Sequence, residues 1–334
     1  MSNDTDVTDL PPRLRIEPPL FNSANPWATT LEDLRSLYRC TETGAVTTRT
    51  ALLDKGSPHD DAVHRYAFFE AGSHRLGGAD ADASLNTLGY SPVPLDGYLG
   101  FIRRIVSEGD SHGLRRKPFI VSVTGTPDEV AECYRRIAWC STDVEVELAM
   151  EVNLSCPNIP GCPPPAYDRV ALRGYLWRVT EVVAEIDRFR IPWGVKTPPY
   201  THAGQFDMVA SALRECCLGG VSSVGFVTAT NTLGSCLVLE GEVDGDGLGL
   251  GDLAGAPLHP LALGNVASLR RLLGSAPETC LVQVLGIGGV GDLAGYRHMR
   301  RAGAAAVGIG TALGIQGLAV FEEIERGAGG LWEI

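Results

Sequence analysis

The stretch Glu151 to Gly161, EVNLSCPNIPG, starts as a strand and ends in a proline turn. Where it breaks it gathers Asn153, Ser155, Cys156 and Asn158, a titratable thiol among neutral side chains that donate or accept hydrogen bonds. Lys196 lies near the end of the run WGVKTPP, and Asn231 ends VSSVGFVTATN. Two glycine turns, GIGG at 286–289 and GIGT at 308–311, each follow an apolar run and precede a helical pattern. Paired turns of this kind offer backbone N–H groups to a phosphate, whereas one alone can be only a tight turn. No paired-carboxylate site and no Ser-His-Asp set accompanies them. A phosphate-bearing cofactor without a carboxylate acid–base pair points to redox chemistry carried by that cofactor. Lys196 could set a positive charge beside a flavin N1 and C2 carbonyl as electrons arrive; the alternative is a lysine snorkelling at a strand end. The KTPP sequence stiffens the chain just after it. Cys156 and Cys162 form no zinc set, because no CxxC or second pair with histidine spacing supports them, so no metal is expected. Cys216 and Cys217 read as packing residues.

These residues need a frame, and the apolar pattern supplies one. Runs of strand length occur at 44–48 (GAVTT), 119–125 (FIVSVTG), 144–156, 193–199, 221–231, 280–289 and 304–313. Amphipathic segments alternate with them, at 127–140 with Val130, Cys133, Ile137 and Ala138 on one face, at 206–216 and at 263–273. Strands alternating with helices imply parallel pairing. With PLFNSA (19–24) as a first strand, eight strands assemble, which favours an α/β fold made of a single (β/α)8 TIM barrel over an open sheet. Chemistry in such a barrel sits at the C-terminal strand ends. Here those ends deliver Asn22, Arg49, Gly125, Asn153 to Asn158, Lys196, Asn231, Gly288 with Gly289, and Gly310 with Thr311. The segments 71–84 and 240–255 read as loops inserted at the mouth.

The 334 residues, 44% of them hydrophobic, are enough for one barrel with insertions. A net charge of −12 repels phosphate backbones and argues against nucleic acid as a partner. Residues 1–18 are acidic and proline-rich and read as a flexible segment ahead of a barrel domain at 19–334. They show neither a signal-peptide core nor transit-peptide character, and no stretch approaches about 18 apolar residues, so no membrane association is expected. Nine cysteines in a chain this long fit a reduced, cytoplasmic protein.

The motifs NLSCPNIPG, GVKTPPY, TNTLGS, LHPLALGNV, GIGG and VGIGTAL occur in this order. Together they resemble the class 1 dihydroorotate dehydrogenases, most closely the fumarate-linked class 1A branch, from roughly Pro19 to Arg326. NLSCPN is the most specific piece. The resemblance implies an FMN-bound barrel that oxidises dihydroorotate to orotate for pyrimidine synthesis, with fumarate as acceptor, as a cytoplasmic homodimer. It makes Cys156 the catalytic base, a role suited to a thiol that ordinarily titrates near ~8.5 and can be tuned downward. It makes Arg49, Asn86, Thr87, Leu88, Gly89, Tyr90, Asn153, Asn158, Asn231 and Thr232 substrate-binding residues. The amides of Asn153 and Asn158 match the imide edge of a pyrimidine. Ala24, Asn25, Arg49, Asn153, Lys196, Thr230, Gly255, Gly288, Gly289, Gly310 and Thr311 match FMN-binding positions.

The chain also departs from the family pattern. Arg49 stands where a lysine is usual, and a planar fork is no simple substitute for a point charge. Asn25 takes a glycine position, which it can fill if φ is positive. Thr232 replaces a serine, and Cys162 a lysine. Asp252 and Ala254 interrupt a GGxGG turn near the phosphate, where a carboxylate is unfavourable unless it points away. The usual C-terminal helix is shortened to GAGGLWEI. Two other readings stay open: an FMN oxidoreductase on the same barrel acting on another dihydropyrimidine or an enone, and a non-catalytic flavin-binding barrel. A tRNA-dihydrouridine enzyme would need a basic surface, which this acidic chain lacks. With no separate nicotinamide domain and no iron–sulfur cysteine cluster, direct NAD-linked transfer is not indicated.

Overall fold

The computed structural model describes residues 11–111, 113–156, 163–186, 190–239, 249–330 and 332. In chain order its elements begin β1 (Leu20–Asn22), α1 (Leu31–Arg39), β2 (Val46–Thr47), β3 (Tyr66–Phe69), β4 (Ala83–Asn86), α2 (Leu95–Ser111), β5 (Phe119–Val123) and α3 (Pro127–Cys140). They continue with β6 (Leu148–Asn153), α4 (Arg169–Ile186), β7 (Trp193–Thr197), α5 (Ala203–Glu215), β8 (Cys217–Leu218), β9 (Val221–Ser222), β10 (Phe226–Ala229), β11 (Leu233–Cys236) and β12 (Gly251–Gly255). The last are α6 (His259–Gly274), β13 (Gln283–Ile287), α7 (Leu293–Arg301), β14 (Ala306–Ile309), α8 (Thr311–Gln316) and α9 (Ala319–Ala328).

Eight strands form one parallel sheet in the order β1-β14-β13-β10-β7-β6-β5-β2. A parallel bridge between Phe21 and Ala45 closes the ring. Asn22 reinforces the closure, its side chain donating to the Thr47 carbonyl at 2.7 Å and accepting from the Thr47 N–H at 2.9 Å. The barrel is the (β/α)8 architecture expected. Its strands are readable as continuous apolar runs because they are covered on both faces: every residue of β5, β6 and β7 is buried. Inside the ring pack Phe21, Ile120, Ala149, Phe226, Leu285, Ile287 and Ala306. Leu14 and Ile16 join this cluster.

The helices start where the sequence can cap them. Thr126 accepts from the Glu129 N–H while the Glu129 carboxylate accepts from the Thr126 N–H, and Pro127 fills the first turn of α3. Val130, Cys133, Ile137 and Ala138 are buried, as their spacing required. After α9 the chain turns at Gly329 in the left-handed region, and Trp332 sets its ring edge-on to Tyr296 at 5.5 Å.

One expectation needs correction. The segments 71–84 and 240–255 are not wholly loops: β4 begins at Ala83, and 251–255 is β12. With β3 and β11 these strands form a four-stranded antiparallel sheet in the order β11-β12-β4-β3. The β4–β12 pairing joins segments far apart in the chain, and β4, β11 and β12 are short and rich in small or polar residues, so local composition carries little strand signal there. Apolar runs also overshoot the strands they contain. The run 304–313 ends as a strand at Ile309 and continues as α8 from Thr311.

Candidate active site

A cavity of about 440 Å³ opens at the C-terminal mouth of the barrel, beside the antiparallel sheet. Each barrel strand that reaches it contributes its end. Ala24 and Asn25 follow β1, Arg49 and Thr50 follow β2, Asn153 ends β6 with Cys156 three residues on, Lys196 lies in β7, and Thr230 to Thr232 follow β10. Gly288 and Gly289 follow β13; Gly310 and Thr311 follow β14. The antiparallel sheet and its loops add Asn86, Leu88, Gly89, Tyr90, Asp252 and Gly255. Asn158 and Cys162 lie outside the described residues. Thr87 alone of the described candidates does not line the cavity. Strand alternation turns it outward, where its hydroxyl bonds the Val63 carbonyl and accepts from the Arg65 N–H at 3.0 Å.

The amides form a network rather than a free edge. Asn153 Nδ2 donates to Thr50 Oγ1 at 3.0 Å, and its Oδ1 accepts from Ser155 Oγ at 2.9 Å. Asn231 Nδ2 donates to Ser155 Oγ at 2.9 Å and to Asn153 Oδ1 at 3.3 Å. Asn86 Oδ1 accepts from the Leu88 N–H at 3.1 Å, which holds the 86–90 turn in shape.

Two cations stand near the half-buried Cys156. Lys196 is 3% exposed; burial lowers its pKa, opposed by the charges of Glu151 and Cys156. Burial likewise lowers that of Arg49, opposed by Tyr98 and Cys156. Arg49 Nη2 donates to the Gly89 carbonyl at 2.9 Å, and its backbone N–H to the Ala28 carbonyl.

The glycine turns hold conformations that favour glycine, with φ of +135° at Gly288 and +67° at Gly289. A Cβ on Gly289 would meet the Gly255 carbonyl oxygen at 2.6 Å, so β12 and the turn after β13 touch through backbone. His259 Nδ1 lies 2.8 Å from the Gly288 carbonyl oxygen, and Ser84 Oγ lies 3.0 Å from Thr311 Oγ1. Asn25 does not use the positive φ its glycine-replacing position allowed. At φ −155° it is extended, and its side chain accepts from the Trp27 N–H to cap a short 3-10 turn.

Sequence reasoning missed two aromatic walls. Trp27 and Tyr66 line the cavity, with Trp27 stacked on Phe68 at 5.5 Å and edge-on to Tyr66 at 5.9 Å. The alternating YAFF pattern was the available signal. Asp252 lies beside two substrate candidates: Thr232 Oγ1 donates to its Oδ2 at 3.0 Å, and Asn86 Nδ2 donates to its backbone carbonyl at 3.3 Å. Among the described residues, no group of three or more His, Cys, Asp or Glu could hold a metal ion, and no helix is long and apolar enough to cross a membrane.

Fold and cavity define a (β/α)8-barrel protein with its candidate site at the C-terminal strand ends. A family model for dihydroorotate dehydrogenase matches residues 75–330, and the chain belongs to that family. It is 33% identical to the dihydroorotate dehydrogenase (fumarate) of Trypanosoma cruzi over 315 residues, 92% of this chain and 87% of the relative. It is 31% identical to the protein of the same name from Trypanosoma brucei brucei, over 92% of this chain and 88% of that one. Against dihydroorotate dehydrogenase A (fumarate) of Lactococcus lactis subsp. cremoris the identity is 32%, with the same coverage. The similarity read from the motifs is thus borne out, including its fumarate-linked branch.

Proposed function

We propose that this chain oxidises (S)-dihydroorotate to orotate in pyrimidine (UMP) synthesis, with FMN as its cofactor and fumarate as electron acceptor, as a cytoplasmic homodimer. The observation that carries the reading is the convergence of Cys156, Lys196, Arg49 and the Asn153–Ser155–Asn231 network on one cavity at the strand ends.

The cavity's own chemistry fits a flavin. Thr230 Oγ1 is buried in its wall with no hydrogen-bond partner among the described residues, so a polar ligand atom would complete it. Lys196 brings a desolvated cation, suited to negative charge that develops on a reduced ring. Gly255, Gly288, Gly289, Gly310 and Thr311 would hold the phosphate end through backbone N–H groups, and Ala24, Asn25, Asn153 and Thr230 the remainder. When bound, the flavin supplies the two-electron acceptor for the hydride that leaves C6 of the substrate.

The remaining work falls to side chains. Cys156 takes the C5 proton as a thiolate, and the C5–H electron pair becomes the new C5=C6 bond. Charge on Cys156 interacts with both Lys196 and Arg49. Arg49 and the 86–90 turn meet the substrate carboxylate, while Asn153, Asn231 and Thr232 orient the ring. The test is spectroscopic. The purified protein should be yellow, bleach on anaerobic dihydroorotate and recover its colour on fumarate. A yellow protein that does not bleach would send the assignment to another substrate.

A further inference from the structure

The mouth sheet carries a buried carboxyl inside the cavity for which the proposed reaction has no use. Asp252 is 3% exposed and lines the same cavity as Arg49, Cys156 and Lys196. β12 sets it in register with Asn86 of β4, and Thr232 donates its hydroxyl proton to Oδ2 at 3.0 Å. The group therefore touches one substrate candidate through its side chain and another through its backbone.

Its protonation state changes two things at once. An ionised carboxylate only accepts, so it keeps the Thr232 proton turned toward itself and leaves Thr232 only lone pairs to offer the cavity. A protonated Asp252 can donate to Thr232 instead, which frees the hydroxyl proton to reach a ligand oxygen. The ionised form also adds negative charge to a cavity that must receive an anion. The neighbouring elements supply little to balance it. β4 brings the neutral Ser84 and Asn86, preceded by Asp82; β11 brings Cys236; the turn at Pro165–Tyr167 brings Tyr167; α8 brings Thr311 and Gln316. Burial first, and the charge of Asp252 after it, push up the pKa of both Cys236 and Tyr167. Across the cavity stand the cations Arg49 and Lys196, with Cys156 and Asp292.

We propose that Asp252 is a specificity-determining residue: through the Thr232 hydroxyl and its own charge, it makes the site hold an anionic pyrimidine carboxylate more tightly when Asp252 is protonated than when it is ionised. Burial, only partly offset by the Thr232 hydrogen bond, pushes this carboxyl up to about 7, so the change falls in the neutral range. A neutral pyrimidine without the carboxylate loses the charge penalty and keeps only the hydroxyl effect.

The inference rests on the proposed function, and calorimetry separates the two. Orotate, and uracil as the neutral probe, are titrated into the flavin-loaded protein from pH 5.5 to 8.5. Wild-type affinity for orotate should fall about tenfold across that range, with its midpoint near neutrality, if binding raises the Asp252 pKa by about one unit. Uracil affinity should change less. Asp252→Asn and Asp252→Ser both retain Arg49, Lys196 and Cys156, so their orotate profiles should be clearly shallower than the wild type's and alike in shape. A flat wild-type profile, or a variant profile as steep as the wild type, overturns the role of Asp252 while leaving the enzyme assignment standing. Absence of orotate binding to the wild type at every pH overturns both.

Discussion

Arg49 Nη2 donates to the carbonyl of Gly89 at 2.9 Å, so the guanidinium at the end of β2 is tied to the turn that follows β4. That turn carries Leu88 and Tyr90 along the cavity wall. A fork with several donors can hold the turn and still offer an N–H to a substrate carboxylate; a lysine ammonium has one centre for both tasks. Arg49→Ala should therefore raise KM for dihydroorotate about tenfold to a hundredfold, the scale of one lost hydrogen bond to a charged group. Arg49→Lys keeps the charge for the substrate carboxylate and should retain activity, losing the tie to the turn. Steady-state kinetics of both variants decide the matter: if alanine leaves kcat and KM untouched, Arg49 serves only the turn.

Gly194 explains how the barrel interior closes around a large ring. A Cβ there would lie 2.2 Å from the Phe226 carbonyl oxygen and 2.4 Å from its ring. Neighbouring strands β7 and β10 pair Gly194 with Phe226, so the ring takes the space a side chain would fill. Overpacking of this kind costs about 1–3 kcal/mol. Gly194→Ala should lower the urea midpoint accordingly, with the slope of the transition unchanged.

A buried amide holds the chain after β7. Asn265 of α6 is 1% exposed; its Oδ1 accepts from the Tyr200 N–H at 2.8 Å and its Nδ2 donates to the Tyr200 carbonyl at 3.0 Å. Asn265→Leu removes both partners from a buried backbone unit, and each unsatisfied group costs about 1–3 kcal/mol. The variant should unfold at a lower temperature than Asn265→Asp, which still accepts from the Tyr200 N–H. Equal melting temperatures would mean that these hydrogen bonds add nothing net.

What was legible in the sequence follows the same physics. β5, β6 and β7 are buried on both faces, and their continuous apolar runs announced them. α3 was readable from its apolar period, and the Thr126–Glu129 box found in the structure agrees with it. β4 and β12 were not, since they pair with each other across more than 160 residues of chain and Gly-Asp-Leu-Ala-Gly has no strand composition. Motif contiguity does not report facing: Asn86 and Leu88 line the cavity and Thr87 between them does not, because alternate residues of an extended segment face opposite ways. Asp252 was noticed as a departure, but only the antiparallel register could put it beside Thr232 and Asn86.

The same carboxyl gives a stability signature independent of any ligand. Its pKa is pushed up to about 7 in the folded protein from an ordinary value of 3.8. Between those values the folded state binds more protons than the unfolded one, so stability falls as pH rises through this window. The contribution is whole below about pH 4 and is lost by about pH 7, at up to about 1.4 kcal/mol per pH unit crossed. Asp252→Asn carries no such loss. Its melting temperature should approach or exceed that of the wild type at pH 8 and fall behind it toward pH 4.5. A constant difference across pH would mean that Asp252 ionises freely in the folded state.

Cys156 offers the sharpest test of mechanism. It sits at the end of β6 beside the Asn153 network, and its charge interacts with Lys196 and Arg49 across the cavity. The other acids that line the cavity, Asp82, Asp252 and Asp292, arrive from just before β4, from β12 and from the start of α7 rather than from this strand end. If Cys156 removes the C5 proton, Cys156→Ala should still take up FMN and bind orotate, because neither depends on a base. Flavin reduction by dihydroorotate should slow by ~10²–10⁴, the usual cost of a lost positioned base. Cys156→Ser should recover relatively more of that rate at high pH than at neutral pH, since a hydroxyl is a weaker acid than a thiol and is seldom ionised. Stopped-flow absorbance under anaerobic conditions from pH 6 to 10 reads all three proteins. Wild-type reduction rates in the alanine variant would make the thiol structural and return the search for the base to the remaining acids of the cavity.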